Sequence, residues 1–194
     1  MLSSDVELDD RSERSLIVAV PGGLAAGDGD GAPVVAPSVL GSGHDVILPR
    51  GEPARRLRER LRRRGMGEMT AQDLETWRIR RGDVRMGADF GPDALPAEAG
   101  LEDAIDFTKG CFLGQESVAK VRNLGHPPRV LRHVRSRTPV TRGVLVLAGG
   151  VAIGEVTSAA ETDGGSDAIV RVRWDSALGP LSTEAGPLSL RRER

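Results

Sequence analysis

The residues of this chain with the most evident chemical potential lie within eight positions, Lys109 to Glu116, reading KGCFLGQE. Cys111 is the only cysteine. A thiol acts as a nucleophile or metal ligand through its thiolate, and a neighbouring cation or helix N-terminus favours that form. Lys109 stands two positions before the sulfur, and a helix is expected to open at Leu113 or Gly114 and carry Glu116 to Lys120. The same cysteine is equally a small apolar residue of the kind that packs in cores. Gly110 and Gly114 either allow a close backbone approach or serve as turn residues. Gln115 and Glu116 either bond the preceding loop or face a ligand. The residue types by themselves leave these alternatives open.

Other chemistries are easier to set aside. One cysteine forms no intramolecular disulfide, and His44, His126 and His133 are too scattered to give a metal-ligand spacing. A four-cysteine cluster cannot be built from one chain. Aromatic residues are few: Phe90, Phe107, Phe112, Trp77 and Trp174, with no tyrosine. That argues against a base-stacking surface, and nucleic acid is not an expected partner. The N-terminus is acidic, and LIVAV is too short for a signal core or a membrane span, so no membrane association is expected and the expected compartment is the cytoplasm. The net charge is −1, but it is unevenly spread. Arg50 to Gly65 concentrates eight arginines against Glu52 and Glu59. Such a run is either a solvated helix face, facing the acidic leader, or a surface for glutamyl tails or an RNA backbone.

The elements that must position the motif read as follows. SLIVAV and HDVILP are strands, and LAAGDGDGAPVVAPS between them is expected to be a loop. Pro53 suits a helix first turn; Ala54, Leu57 and Leu61 fall at helical spacing, and Gly65 stops that helix. TAQD announces a second helix, with Thr70 and Asp73 forming a capping box and Gly82 ending it. Asp83 to Phe107 is loop-rich. Paired prolines at 127 and 128 suggest a domain boundary, giving expected domains of 1–127, with a flexible acidic leader, and 128–194. Beyond them RVLRHVR, GVLVLA, VAIGEVTS, AIVRVRW and PLSLR alternate with period two. Gly149-Gly150 lies where a tight hairpin needs positive φ. The expectation is a small antiparallel barrel or sandwich.

DFTKGCFLGQESVAK resembles the K-G-C-[FY]-x-G-Q-E signature of the YgfZ family, folate-binding relatives of the glycine-cleavage T-protein, at Lys109, Gly110, Cys111, Phe112, Gly114, Gln115 and Glu116. LETWRIRRGDVRMGADF is similar to that family's L-R-I-E-A-G-x-P-R-x-G-x-D segment, which adds Trp77, Arg78 and Asp89 to the folate-binding or motif residues. The resemblance covers roughly residues 40 to 190. It implies an α+β fold in which a partial aminomethyltransferase-type folate-binding domain precedes a small antiparallel β-barrel. It implies tetrahydrofolate or a related reduced folate as cofactor, Cys111 as the reactive thiol, and iron–sulfur client or assembly proteins as partners.

Two features depart from the family pattern. The pterin-contacting glutamate of the related segment is Arg80 here, and a guanidinium accepts no hydrogen bonds. Members of the family also carry about a hundred further residues before the matched part, one domain's worth. Here an acidic leader stands in that place, as expected of a shortened paralogue, a fragment or a misplaced start. Besides iron–sulfur maturation, two functions stay in view: aminomethyl transfer, which calls for a carboxylate near the folate amine such as Asp89, Glu98 or Asp106, and a ligand-free adaptor that keeps the fold.

Overall fold

The computed structural model describes residues 9–24, 34–38 and 43–191, the Leu124 side chain excepted. Residues 1–8, where the flexible leader is expected, and 25–33 lie outside the described residues. The chain divides into two compact units, Met1–Glu68 and Met69–Arg194.

In the first unit β1 (Ser15–Val20), β2 (Val34–Pro37) and β3 (His44–Pro49) form an antiparallel sheet in the order β1-β3-β2. β2 falls inside the stretch expected to be a loop. Two adjacent β-branched residues, Val34 and Val35, supply an edge strand that surrounding Gly, Asp and Pro residues hide in the sequence, and Pro37 is tolerated because it ends that edge. Helix α1 (Glu52–Arg63) buries Ala54, Leu57 and Leu61 against Val20, Val46 and Leu48. Its arginines other than half-buried Arg60 stay exposed, and Glu52 holds Arg55 and Arg56 at 2.8 and 2.9 Å.

The second unit opens with α2 (Ala71–Arg81), capped by the expected box: the Asp73 N–H donates to Thr70 Oγ1 at 3.1 Å, and the Thr70 N–H donates to Asp73 at 3.0 Å. Gly82 ends it at φ 81°, where an added Cβ would lie 2.8 Å from His133 Nδ1. Both the dihedral and the space call for glycine. A loop with two short 3-10 turns leads to α3 (Gln115–Leu124). Then come β4 (Arg129–Ser136), β5 (Leu145–Ala148), β6 (Val151–Thr162), β7 (Gly165–Arg173), β8 (Leu181–Thr183) and β9 (Gly186–Leu190). They close into a barrel in the order β4-β7-β6-β5-β8-β9, with β9 pairing back to β4. The Pro127-Pro128 pair lies inside this unit, at the entry to β4.

Val130, Val134, Val146, Val156, Val170 and Val172 belong to the core cluster that fills the barrel. Ile169, between two inward residues, faces outward and is nevertheless 1% exposed, because Ala99, Leu131, Val84 and Phe90 pack over it. The loop after α2 therefore lies on the barrel wall, and the middle of β7 is covered on both faces, which explains its unbroken run of buried residues from Ser166 to Val170.

Candidate functional site

Two groups of residues singled out in the sequence occupy different places in the second unit. The first is closed. Arg78, 7% exposed at its side chain, spends every N–H donor a guanidinium has. Its Nε and Nη2 grip Glu75, Nη1 donates to the Asp83 carbonyl at 2.9 Å and to Asp89 Oδ2 at 2.7 Å, and Nη2 also reaches Ser158 Oγ at 2.8 Å. Asp89, with a fully buried side chain, accepts from Thr157 and Ser158 at Oδ1 (2.7 and 2.6 Å), and from Arg78 and the Arg85 N–H at Oδ2 (2.7 and 2.9 Å).

Two consecutive hydroxyls reach one carboxylate oxygen because β6 carries a bulge between Val156 and Ser158, which re-aims a side chain that regular alternation would turn away. Burial opposes the Arg78 charge, but the bonds from Glu75 and the attraction of Asp89 outweigh it and hold its pKa above its ordinary value. The Arg78 hydrogen bonds in turn hold the Glu75 carboxyl below its own. Arg78 and Asp89, expected among the folate-binding or motif residues, are thus saturated by protein partners and pin α2 and its following loop to the barrel. Trp77 sits beside them under the Arg81 guanidinium, 4.6 Å from the ring centroid. Arg80 donates to the Glu161 carbonyl at 3.1 Å.

The second group is open. Cys111 is exposed and stands four positions before the first residue of α3, in a loop that Gly114 joins to the helix as an αL N-cap at φ 84°. The Phe112 N–H donates to Gln115 Oε1 at 3.2 Å, folding the loop back on the helix start. The Lys109 ammonium lies over the Phe112 ring at 4.8 Å, and Arg122 lies over Phe107 at 4.2 Å.

Lys109, Phe112, Gln115 and Glu116 line one cavity of about 360 Å3 together with Phe107 and Arg122. A second cavity of about 260 Å3 lies across the Phe107, Val118 and Arg122 wall, bounded by Glu102 and His126, and His126 stacks on Trp174 at 4.0 Å. Of the motif residues singled out in the sequence, Lys109, Phe112, Gln115 and Glu116 line the first cavity, and Cys111, Gly110 and Gly114 do not; Phe107 and Arg122 on that cavity, and His126 on the second, are brought there by the path of the loop. Trp77, Arg78 and Asp89 line neither space. Glu98 is held by Arg171 at 2.6 Å, and Asp106 accepts the Thr108 hydroxyl and N–H at 2.7 and 2.8 Å, bonds that hold its carboxyl below its ordinary pKa. Among the described residues, no three His, Cys, Asp or Glu side chains are grouped to hold a metal ion, and no helix is long and apolar enough to cross a membrane.

The fold has a counterpart among solved structures. The glycine cleavage system aminomethyltransferase T of Bartonella henselae matches with a TM-score of 0.64 and 24% identity, over 77% of this chain and 45% of that one. The fold is that of an aminomethyltransferase. In sequence, a protein named aminomethyltransferase from Moorella thermoacetica is 36% identical over 116 residues, 56% of this chain and 30% of that protein. An uncharacterized protein of Haemophilus influenzae is 46% identical over 43 residues, 22% of this chain and 15% of that one. No family model matches. The chain thus carries part of the aminomethyltransferase fold, spanning 30% of the length of its Moorella relative.

Proposed function

We propose that this protein binds a reduced folate on its aminomethyltransferase fold and assists the assembly or repair of iron–sulfur clusters on client proteins, as the resemblance of its cysteine motif to the YgfZ signature implies. The observation that carries the reading is the exposed Cys111 in the loop whose Lys109, Phe112, Gln115 and Glu116 share one cavity. The residues there fit a folate: Phe107 and Phe112 offer apolar flats for a ring, and Glu116 offers a carboxylate to an amino-pyrimidine edge, the part that Arg80 cannot play. Lys109 and Arg122 supply cations for glutamyl carboxylates. A cavity of about 360 Å3 lies in the range of small-molecule sites.

In this scheme Cys111 gives its proton to solvent and lends a sulfur lone pair to an iron of the client's cluster, holding one coordination position while cluster and client ligands exchange. No electron is transferred, and the bond reverses when the client's own ligand takes the iron.

The identity to a protein named aminomethyltransferase favours a second reading, folate-dependent aminomethyl transfer. That chemistry asks for an uncommitted carboxylate as proton acceptor. Asp89 and Glu98 are bonded to arginines and Asp106 to Thr108, which leaves Glu116 as the uncommitted carboxylate of the cavity; transfer ranks below maturation because the cysteine motif resembles the YgfZ signature.

The test has two parts. In a Trp77→Phe background Trp174 is the sole indole, and titration with folinic acid should change its emission through the stacked His126. A flat titration, checked by calorimetry, leaves a ligand-free adaptor. Cys111→Ser should fold and bind folinic acid yet fail to restore an iron–sulfur enzyme in cells lacking the endogenous factor; full rescue by the serine variant removes the thiol from the scheme. Steady product formation from an aminomethyl donor would place transfer first.

A further inference from the structure

On the barrel wall of the second unit, a cavity of about 340 Å3 lies between the loop after α2 and strands β6 and β7, and it shares no residue with the cavity of the cysteine motif. Its floor is already bonded. Asp89 is saturated, and the Thr157 hydroxyl is held between Asp89 Oδ1 at 2.7 Å and the Ile169 carbonyl at 3.0 Å. Its charged walls are not. Glu155 stands opposite Arg171 in the β6–β7 register, a place where opposite charges ordinarily pair across strands. Arg171 instead gives Nη2 to Glu98 at 2.6 Å, and its enclosed Nε has no acceptor. Glu155 is thereby left without an ion pair or hydrogen bond among the described residues.

Arg142 is uncommitted in the same sense. The Gly143 N–H donates to the Val156 carbonyl at 2.8 Å, which seats the turn carrying Arg142 beside the strand carrying Glu155. The two exposed side chains line one cavity and do not pair with each other. Half-buried Phe90 supplies the apolar part of the wall.

We propose that this cavity binds a free α-amino acid with an apolar side chain. Arg142, with the unbonded Nη1 of Arg171, takes the carboxylate through charge-assisted bonds, Glu155 takes the ammonium, and the side chain lies on Phe90. The charge pattern selects this class. An inorganic phosphate or a dicarboxylate would set anions against Glu155, and a polyamine would set cations against two arginines. A free amino acid carries both signs on one carbon, which no residue inside a peptide does. The volume lies at the low end of small-molecule sites. Because Arg142 and Glu155 are exposed, water and salt screen their attraction, so binding is weak, with a Kd of about 1 mM.

The test is an NMR titration of the full chain, following backbone amides, with L-leucine and its two single-charge analogues, 4-methylpentanoate and 3-methylbutylamine. With leucine, the amides of Gly87, Gly91 and Gly143, which line the cavity, should shift and saturate. Each analogue lacks one charge pair and should bind about tenfold or more weakly. Arg142→Gln and Glu155→Gln alter exposed groups, so the melting temperature should hold while leucine affinity falls about tenfold in each. Glu155→Gln should leave the weak binding of 4-methylpentanoate no poorer than in the parent chain, a result that general damage to the cavity would not give. Absence of shifts at about 20 mM leucine overturns the proposal. So does an analogue that binds as well as leucine, which marks a site for one charge alone, and so does leucine binding that both variants leave intact, which places the ligand elsewhere. Folinic acid affinity should be the same in both variants as in the parent, so this inference and the proposed function fail independently.

Discussion

Replacing Asp89 tests whether the Arg78 cluster is a structural clamp or a ligand site. The carboxylate is fully buried and accepts four hydrogen bonds, which fills its lone-pair sites. Asp89→Ala removes all four and leaves Arg78 with a buried positive charge that Glu75 only partly balances. Breaking a buried pair by deleting one partner costs about 3–5 kcal/mol. Thr157 retains the Ile169 carbonyl at 3.0 Å, and Arg78 retains Glu75, so about 4 kcal/mol is the expected loss. For a chain of this size that corresponds to a fall in Tm of about 12 °C.

Asp89→Asn keeps the shape and one acceptor oxygen, and the hydroxyls of Thr157 and Ser158 can rotate to accept from its amide, so about half that loss is expected. The assay is urea unfolding followed by far-UV circular dichroism and tryptophan emission. Arg78→Met combined with Asp89→Ala should cost less than the sum of the single changes, because the two charges then leave the interior together. A loss below about 1 kcal/mol in Asp89→Ala, the size of a surface change, would refute the clamp.

The remaining expectations follow from single features. Thr70→Ala removes the α2 capping box and should cost about 1 kcal/mol in the same unfolding assay. Gly82→Ala imposes both a left-handed dihedral and a contact at 2.8 Å from His133, so about 2 kcal/mol or more is expected. Because Arg78 holds the Glu75 carboxyl below its ordinary value, that carboxylate contributes stability in full above about pH 4.3, its unfolded value, and loses it as pH falls through the lower folded value. Glu75→Gln should therefore flatten the acid limb of the stability–pH curve and leave its neutral shape alone.

Local signals carried much of the fold. The Thr70-Asp73 box, the stops at Gly65 and Gly82, and Gly149-Gly150, both at positive φ in the β5–β6 turn, each depend on residues within a few positions, and each is where the sequence places it. What escaped was nonlocal. β2 exists because β3 offers it a partner, and three-residue β8 because β5 and β9 flank it. The bulge at Val156 to Ser158 makes sense only once Asp89, some seventy residues earlier, lies against it. The same reason explains the two fates of the motif residues. Residue type identifies Arg78, Asp89, Lys109 and Glu116 alike as polar groups able to bind a ligand; burial, which no local pattern reports, separates those already satisfied from those left open.

Spare bonding capacity is thus the property that distinguishes a ligand residue, and it yields a paired prediction within the second unit. Glu98 precedes the motif and Glu116 closes it, and both are carboxylates. Glu98, with a 7% exposed side chain, is paired with Arg171 at 2.6 Å. Glu116 lies exposed on the cavity wall, with no hydrogen bond or ion pair among the described residues. Glu98→Gln converts a charge-assisted bond into a weaker one in a partly buried setting and should cost about 1–2 kcal/mol of stability, with folinic acid binding unchanged. Glu116→Gln alters an uncommitted exposed group, so stability should hold within about 0.5 kcal/mol. It replaces a paired acceptor with a single one, so folinic acid affinity should fall by about tenfold, near 1.4 kcal/mol. Calorimetric titration and urea unfolding of both variants give four numbers. Loss of affinity in Glu98→Gln with Glu116→Gln unaffected would move the ligand off the cysteine-motif cavity and onto the barrel wall beside Arg171.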